Sequence, residues 1–116
     1  MTVLITPEQR AQLLANGARF DKDEDFDPLP VLKLFTPDAG CTWLLCSAEP
    51  DCPGIAWGLC DLGLGCPEMG SVRLNEIAMV RGRLGLRVEQ DLHFTARKPI
   101  SAYARDARLV GMIVAG

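Results

Sequence analysis

A stretch of thirteen residues in the middle of the chain, GLCDLGLGCPEMG (residues 58–70), contains the residue types that bind phosphates and metals. It holds four glycines, two cysteines and two acids, Asp61 and Glu68. Glycines let a backbone approach a phosphate closely, thiolates bind zinc, and paired carboxylates hold divalent cations or transfer protons. Each of these sites requires its own spacing of residues, and the spacing distinguishes them.

The spacing does not favour a phosphate site. A dinucleotide fingerprint requires G-x-G-x-x-G between a strand and a helix. Gly63 and Gly65 are followed by Cys-Pro-Glu, so the third glycine is missing, and the next predicted element is a strand. Asp61 and Glu68 would also repel a phosphate. We therefore expect no nucleotide cofactor.

The cysteines do not have the spacing of a zinc site. No pair shows the C-x2-C spacing of a zinc knuckle, and His93 is the sole histidine, so neither a metal site nor a cysteine nucleophile with a base is indicated. An odd number of cysteines in a cytoplasmic chain predicts free thiols. The cysteines are Cys41, Cys46, Cys52, Cys60 and Cys66.

The carboxylates leave one catalytic alternative open. Asp61 and Glu68 lie in one predicted loop, where they would form the site of a divalent-metal-dependent hydrolase acting on nucleic acid or nucleotide. Nothing in the sequence orients them. A second acidic segment, residues 21–30, is interpreted as a solvated connection, because Phe26 and Leu32 stand where a calcium loop requires glycine and glutamate.

Composition indicates one globular domain, residues 1–116, with 48% hydrophobic and 23% charged residues. No apolar run approaches the roughly 18 residues of a membrane span. The chain opens directly into a helix signal without a signal peptide, so we expect a cytoplasmic protein without a membrane partner.

Charge is divided between the two halves of the chain. Before Gly70, four basic residues stand against eleven acids, and after it eight basic residues stand against four acids. The arginine-rich second half makes nucleic-acid binding an alternative function. The net charge of −3 and the lack of interleaved basic and aromatic residues do not favour it.

The first element predicted is a helix over residues 6–17. Thr6 is its N-cap, Pro7 occupies the first helical position, and Gln9 completes a capping box with Thr6. Gly17 stands where a left-handed residue ends a helix.

Three strands at residues 31–35, 41–47 and 55–61 follow, and the short turns between them predict an antiparallel meander. A short strand at residues 71–74 and a helix at residues 75–82, capped by Asn75 and ended by Gly82, come next.

Residues 86–94 alternate between apolar and polar side chains, which predicts a strand with one buried face. A closing helix over residues 99–110 ends at Gly111. The strand is expected to bury Leu86, Val88, Leu92 and Phe94 and to expose Arg87, Glu89, Asp91 and His93. The helix is expected to bury Ile100, Tyr103, Ala104, Ala107 and Val110.

The order α-βββ-β-α-β-α predicts a single α+β domain. Its sheet is expected to be curved, mostly antiparallel and made of about five strands, with three helices on one face.

The chain resembles the bacterial domain of unknown function family 2958. The resemblance rests on PVLKLFTPDAGCTWLL, IAWGLCDLGLGCPEMGSVRLNE, DLHF and KPISAYA, and it spans nearly the whole chain. It implies a protein of plasmids and other mobile elements, found near conjugation, plasmid-maintenance or antirestriction genes. It implies no activity, cofactor or catalytic residue.

The resulting hypothesis is a non-catalytic binding or accessory domain with a protein partner and no cofactor or metal. Its recognition surface is predicted at the rim of the glycine stretch, with Asp61, Glu68 and Arg73 as polar contacts and Trp43 as an apolar anchor. The competing interpretation places Trp43 in the core and uses the acids to cap loop amides. The oligomeric state stays open.

Overall fold

Residues 4–115, which a computed structural model describes, form five strands and three helices in the predicted order. Residues 1–3, predicted to lead directly into the first helix, lie outside this described part. None of the helices described is long and apolar enough to cross a membrane. The elements are α1 (Pro7–Phe20), β1 (Leu32–Phe35), β2 (Thr42–Glu49), β3 (Cys52–Asp61), β4 (Glu68–Arg73), α2 (Leu74–Met79), β5 (Glu89–Gln90) and α3 (Ile100–Val110).

The strands form a single antiparallel sheet in the order β4-β3-β2-β1-β5. The predicted meander is confirmed: Leu34 lies opposite Trp43, and Trp43 lies opposite Cys60. Together with the three helices this is the α+β fold that the sequence predicts.

The prediction that the helices share one face of the sheet is wrong. Neighbouring residues of a strand point to opposite faces. Leu45 of β2 packs in a core cluster with Leu13 of α1, whereas Leu44 packs in a second cluster with Tyr103 of α3. The α2 helix lies on the α1 side. Six consecutive residues of β2, 43–48, are therefore buried, as expected of a strand covered on both faces.

The α1 helix begins at the predicted capping box but does not end at Gly17. It continues to Phe20, and Gly17 lies inside it, so close to β2 that a Cβ would overlap the carbonyl of Ala48. Beside this contact β2 has a bulge at Cys46, whose carbonyl accepts a hydrogen bond from the buried Asn16 amide at 2.8 Å. Gly17 thus allows a close approach of helix and strand rather than a helix end.

The strand predicted over residues 86–94 is wrong in most of its length. Only β5 pairs with β1, and of the four apolar side chains predicted to be buried, only Val88 is fully so. Leu86 is 45% exposed, Leu92 is 81% exposed, and Phe94 is half-buried against the α3 cluster.

A turn over residues 81–87 explains why the alternation fails there. Gly85 has φ 79°, and the amide of Gly82 donates to the carbonyl of Leu86 at 3.0 Å, which reverses the chain. One carboxylate oxygen of Asp38, Oδ2, accepts from the amides of Leu84 at 2.5 Å and Leu86 at 3.4 Å. The turn thus closes on a side chain from the β1–β2 hairpin.

The bounds of α2 and the burial at the end of α3 also differ from prediction. The α2 helix spans Leu74–Met79 rather than residues 75–82, and its N-cap is Arg73, without a side-chain cap, rather than Asn75. Gly111 ends α3 in the left-handed conformation as predicted, with φ 88°, but Val110 is 61% exposed rather than buried.

Candidate functional site

Three segments meet at one end of the sheet, and the first is the turn of the β1–β2 hairpin. The amide of Cys41 donates to the Thr36 hydroxyl at 2.9 Å, and the amide of Thr36 donates to the Cys41 carbonyl at 3.1 Å. Pro37 and Gly40 supply the turn between them. These bonds fix the turn without a contribution from outside the hairpin.

The second segment is the glycine loop, residues 62–67, which joins β3 to β4. Gly63 and Gly65 have φ values of 79° and 82°, a conformation that other residues rarely adopt. A Cβ built on Gly63 would lie 3.2 Å from the carbonyl oxygen of Gly40 in the hairpin turn. The glycines of the predicted stretch therefore bend the loop and let it pack on the hairpin.

The third segment is the C-terminal tail, residues 111–115, which a single buried carboxylate joins to the glycine loop. Asp61 is 4% exposed. Its Oδ1 accepts from the amide of Gly63 at 2.9 Å, and its Oδ2 accepts from the amide of Ile113 at 3.0 Å. Asp61 therefore caps backbone amides, as the competing interpretation of the sequence has it.

The far end of the tail is held by Lys33 of β1. Its ammonium donates to the carbonyl of Ala115 at 2.9 Å and lies 3.3 Å from the carboxylate of Asp91. The backbone amide of His93 and the nearby ammonium of Lys33 lower the pKa of Asp91 below its ordinary value. The tail is thus attached by charged side chains at Ile113 and at Ala115.

These segments surround a cleft of about 560 Å³ at the end of the sheet, lined by backbone of the glycine loop and by Met112. On the glycine loop, the end of α3 and the tail, large apolar side chains stand more than half exposed. We name this set the loop-end surface: Leu62 (56%), Leu64 (79%), Leu109 (81%), Val110 (61%), Met112 (56%) and Val114 (53%).

The structure does not bring the four predicted site residues together. Trp43 is 3% exposed and belongs to the core, so its ring is not available at the surface. Glu68 is exposed at the end of the glycine loop. Arg73 is exposed five residues further along β4, about 16 Å away at the rise of a strand, and lies 3.9 Å from Glu76.

The strand register also separates the two carboxylates of the hydrolase alternative. Glu68 lies opposite Cys60, and directly paired residues share a face of the sheet. Asp61 follows Cys60 and points to the other face. Asp61 and Glu68 therefore do not converge on one substrate, and this geometry does not favour a two-carboxylate site. Within residues 4–115 no group of three or more His, Cys, Asp or Glu side chains could hold a metal ion.

The buried Cys46 and the half-buried Cys60 are not activated. Burial raises the pKa of Cys46 to about 12 and the pKa of Cys60 to about 11. Both thiols stay protonated at neutral pH, which is the opposite of what a cysteine nucleophile requires.

Several basic side chains of the second half are engaged by their neighbours. Arg81 donates to two backbone carbonyls at the end of α2 at 3.0 and 2.9 Å, and Lys98 pairs with Asp106. The Lys98–Asp106 pair neutralises part of the positive charge that binding to a nucleic-acid backbone requires, and the contacts of Arg81 occupy some of its donors.

Sequence reasoning missed three residues that shape this end of the molecule. Lys33 and Ile113 act through partners far along the chain, so no local pattern marks them. Asp38 sits in a turn sequence, TPDAG, where an acid is typical, and its contact with residues 82–86 is long-range. The glycines and Asp61 form a local motif, which is why the sequence found them.

The sequence matches the family described as Protein of unknown function (DUF2958) over residues 4–114. This match covers nearly the whole chain, and the chain belongs to that family. The resemblance seen in the sequence is confirmed. Comparisons with curated proteins and with solved structures gave no significant match.

Proposed function

We propose that this member of the DUF2958 family is a non-catalytic binding or accessory domain that recognises a protein partner through its loop-end surface. The proposed setting is the cytoplasm of a bacterium that carries a mobile element such as a plasmid, which the family resemblance supports.

The observation that carries the proposal is the exposure of the apolar side chains at the loop end. Large apolar side chains grouped on one surface of a monomer are characteristic of interaction sites. Here they stand on loop and tail segments that Asp61, a buried carboxylate, ties to each other and to β3. A rigid sheet that presents loops in fixed positions is a common scaffold for recognition.

The chemistry of the surface favours a protein over a nucleic acid. Residues 62–66 and 109–114 contain no charged side chain. The buried centre of a protein interface is depleted in charge, whereas nucleic-acid affinity depends on clustered lysines and arginines. The occupant we propose is therefore an apolar patch on another protein.

Site-specific photo-crosslinking in the native host tests the proposal. A photo-crosslinking amino acid replaces Leu64 at the loop end, and in a control protein it replaces Leu29. Leu29 is 50% exposed and precedes β1, so it lies at the opposite end of the sheet from the hairpin turn.

We expect a protein adduct of defined mass from position 64 that is absent from position 29. Met112→Asp in the same protein should abolish that adduct and leave the folded state intact, because Met112 is exposed. No adduct from position 64, equal adducts from both positions, or an adduct with nucleic acid would contradict the proposal.

A further inference from the structure

A partly exposed tryptophan, Trp57, stands within the sheet, away from the loop end. Trp57 is 38% exposed and stands on β3 between Ser47 of β2 and Ser71 of β4, which are its directly paired neighbours. Small residues on both sides leave the indole ring without bulky cross-strand neighbours. More than a third of this aromatic residue is therefore exposed, although it stands within the sheet.

Trp57 lines a groove of about 280 Å³. Its other apolar walls come from Phe20 at the end of α1 and from Pro50 in the β2–β3 turn. Gly17, which also lines it, allows α1 to lie against β2 and so brings Phe20 close to the sheet. The groove, named here the Trp57 groove, is thus built from α1, the β2–β3 turn and the middle of the sheet.

Carboxylates line and surround this groove. Asp21 and Glu49 are exposed and lie in its lining. Asp51 in the adjacent turn and the exposed acids of residues 23–25 lie on the neighbouring segments. This end of the molecule therefore carries six carboxylates against two basic side chains, Arg19 and Lys22.

The carboxylates are not neutralised within the described chain. Three ion pairs, Lys33–Asp91, Arg73–Glu76 and Lys98–Asp106, engage acids elsewhere in the described residues, and none of the three involves an acid of this end. The guanidinium of Arg19 lies over the ring of Phe26, 4.1 Å from its centroid, rather than against an acid. The negative charge is thus free to act on a partner.

We propose that the Trp57 groove binds an arginine side chain in a basic segment of another protein. A planar guanidinium stacks on an indole ring and accepts no hydrogen bond, so it donates outward to carboxylates. Asp21 and Glu49 are the acids placed to receive those bonds. The sign of the charge opposes nucleic acids and anionic lipid headgroups, which the same acids would repel.

Titration with a short peptide tests this inference. The probe is acetylated, amidated tetra-arginine, and tetra-lysine is the comparison peptide of equal charge. Trp43 is buried, so a change in tryptophan emission reports on Trp57. We expect a saturable change with tetra-arginine and affinity weaker by at least about fivefold with tetra-lysine, because an ammonium does not stack as a plane.

Two matched double variants distinguish binding in the Trp57 groove from a general electrostatic attraction between the acidic surface and a basic peptide. Asp21→Asn with Glu49→Gln removes two charges from the groove, and Asp25→Asn with Glu24→Gln removes two charges beside it. The first should weaken tetra-arginine at least about tenfold and the second less than about threefold, since exposed charges outside the contact are screened by salt.

The inference is overturned if no saturable change occurs, if both double variants weaken binding equally, or if both peptides bind alike. Analytical ultracentrifugation of the protein without peptide tests whether the basic segment belongs to another protein or to a second copy of this chain. We expect no self-association that depends on Asp21 and Glu49, and such self-association would assign the segment to a second copy of this chain instead.

Discussion

Asp61 determines how the loop-end surface is held, because one buried carboxylate serves two segments that are far apart in the chain. It accepts from the amides of Gly63 and Ile113 and leaves neither amide unpaired. Glu68, the other acid of the same stretch, is exposed, and no hydrogen bond or ion pair of its side chain is found within residues 4–115. The two acids that look alike in the sequence therefore have different roles.

Asp61→Asn should lower the free energy of unfolding by about 1–3 kcal/mol, because an asparagine amide nitrogen would face a buried backbone N–H that loses its acceptor. Glu68→Gln, the matched exposed change, should alter it by less than about 0.5 kcal/mol. Urea unfolding of both variants measures the difference. Equal losses in the two variants would contradict the assignment of Asp61 as the residue that positions the loop and tail.

Asp61 and the glycines could be identified from the sequence because their roles are set by residues close along the chain. The buried state of Trp43 could not, since an isolated tryptophan in a strand fits either a core or a surface. The partner of Asp61 at Ile113 is 52 residues away, and no local pattern encodes that contact.

The cysteines should differ sharply in reactivity. Cys52 and Cys66 are exposed, whereas burial raises the pKa of Cys46 to about 12 and that of Cys60 to about 11. Alkylation by iodoacetamide at pH 8, followed by peptide mass spectrometry, should label the two exposed residues first. Cys46 and Cys60 should react only after unfolding, because the thiolate is the reacting form. Rapid labelling of Cys46 in the folded protein would contradict this order.

At the scale of the elements, the contact between α1 and β2 is sensitive to a single methyl group. Gly17→Ala should destabilise the protein by about 1–3 kcal/mol, because the new Cβ overlaps the Ala48 carbonyl and the helix must move. Gly54→Ala is the control, since no atom lies within 4 Å of a Cβ at that position. Thermal unfolding of both variants checks the prediction. Equal stabilities would show that α1 does not lie so close to β2 at Gly17.

The attachment of β1 to the segment after β5 should depend on pH. The pKa of Asp91 is lowered from 3.8, chiefly by the backbone amide of His93 and also by Lys33. The folded state therefore favours the carboxylate, and this contribution is present above pH 3.8 and is lost as the pH falls through the lower folded pKa.

The free energy of unfolding should therefore fall less in Asp91→Asn than in the wild type when the pH is lowered from neutral to 3. The difference should be less than about 1 kcal/mol, because the Lys33–Asp91 pair is partly exposed. Urea unfolding of wild type and variant at both pH values measures it. A variant that loses more stability in acid than the wild type would contradict the sign of the effect.

The elements that the sequence predicted well are those fixed locally. The capping box of α1 and the left-handed Gly111 need only neighbouring residues. The strand predicted over residues 86–94 failed because β1 offers β5 only two paired positions and Gly85 turns the chain before them. The continuous apolar run WLLC in β2 is typical of a strand that is buried on both faces, and it therefore indicated helices on both faces of the sheet. The alternation of apolar and polar residues elsewhere in the sequence obscured this signal.

At the scale of the whole molecule, the two ends of the sheet differ in chemistry. The loop end presents uncharged apolar side chains around the glycine loop and tail. The opposite end presents Trp57 among the carboxylates of residues 21–25 and the β2–β3 turn. The acidic first half of the sequence thus gives a negative surface at one end, whereas the basic residues of the second half are in part paired locally.

The dissociation constant of the purified complex with the crosslinked partner tests the central claim most directly, measured for wild type, Leu64→Asp and Leu29→Asp. A charge buried in an apolar interface should weaken binding at least about tenfold in Leu64→Asp. The equally non-conservative Leu29→Asp should bind as the wild type does. A dissociation constant unchanged by Leu64→Asp, in a protein that is still folded, would contradict recognition through the loop-end surface.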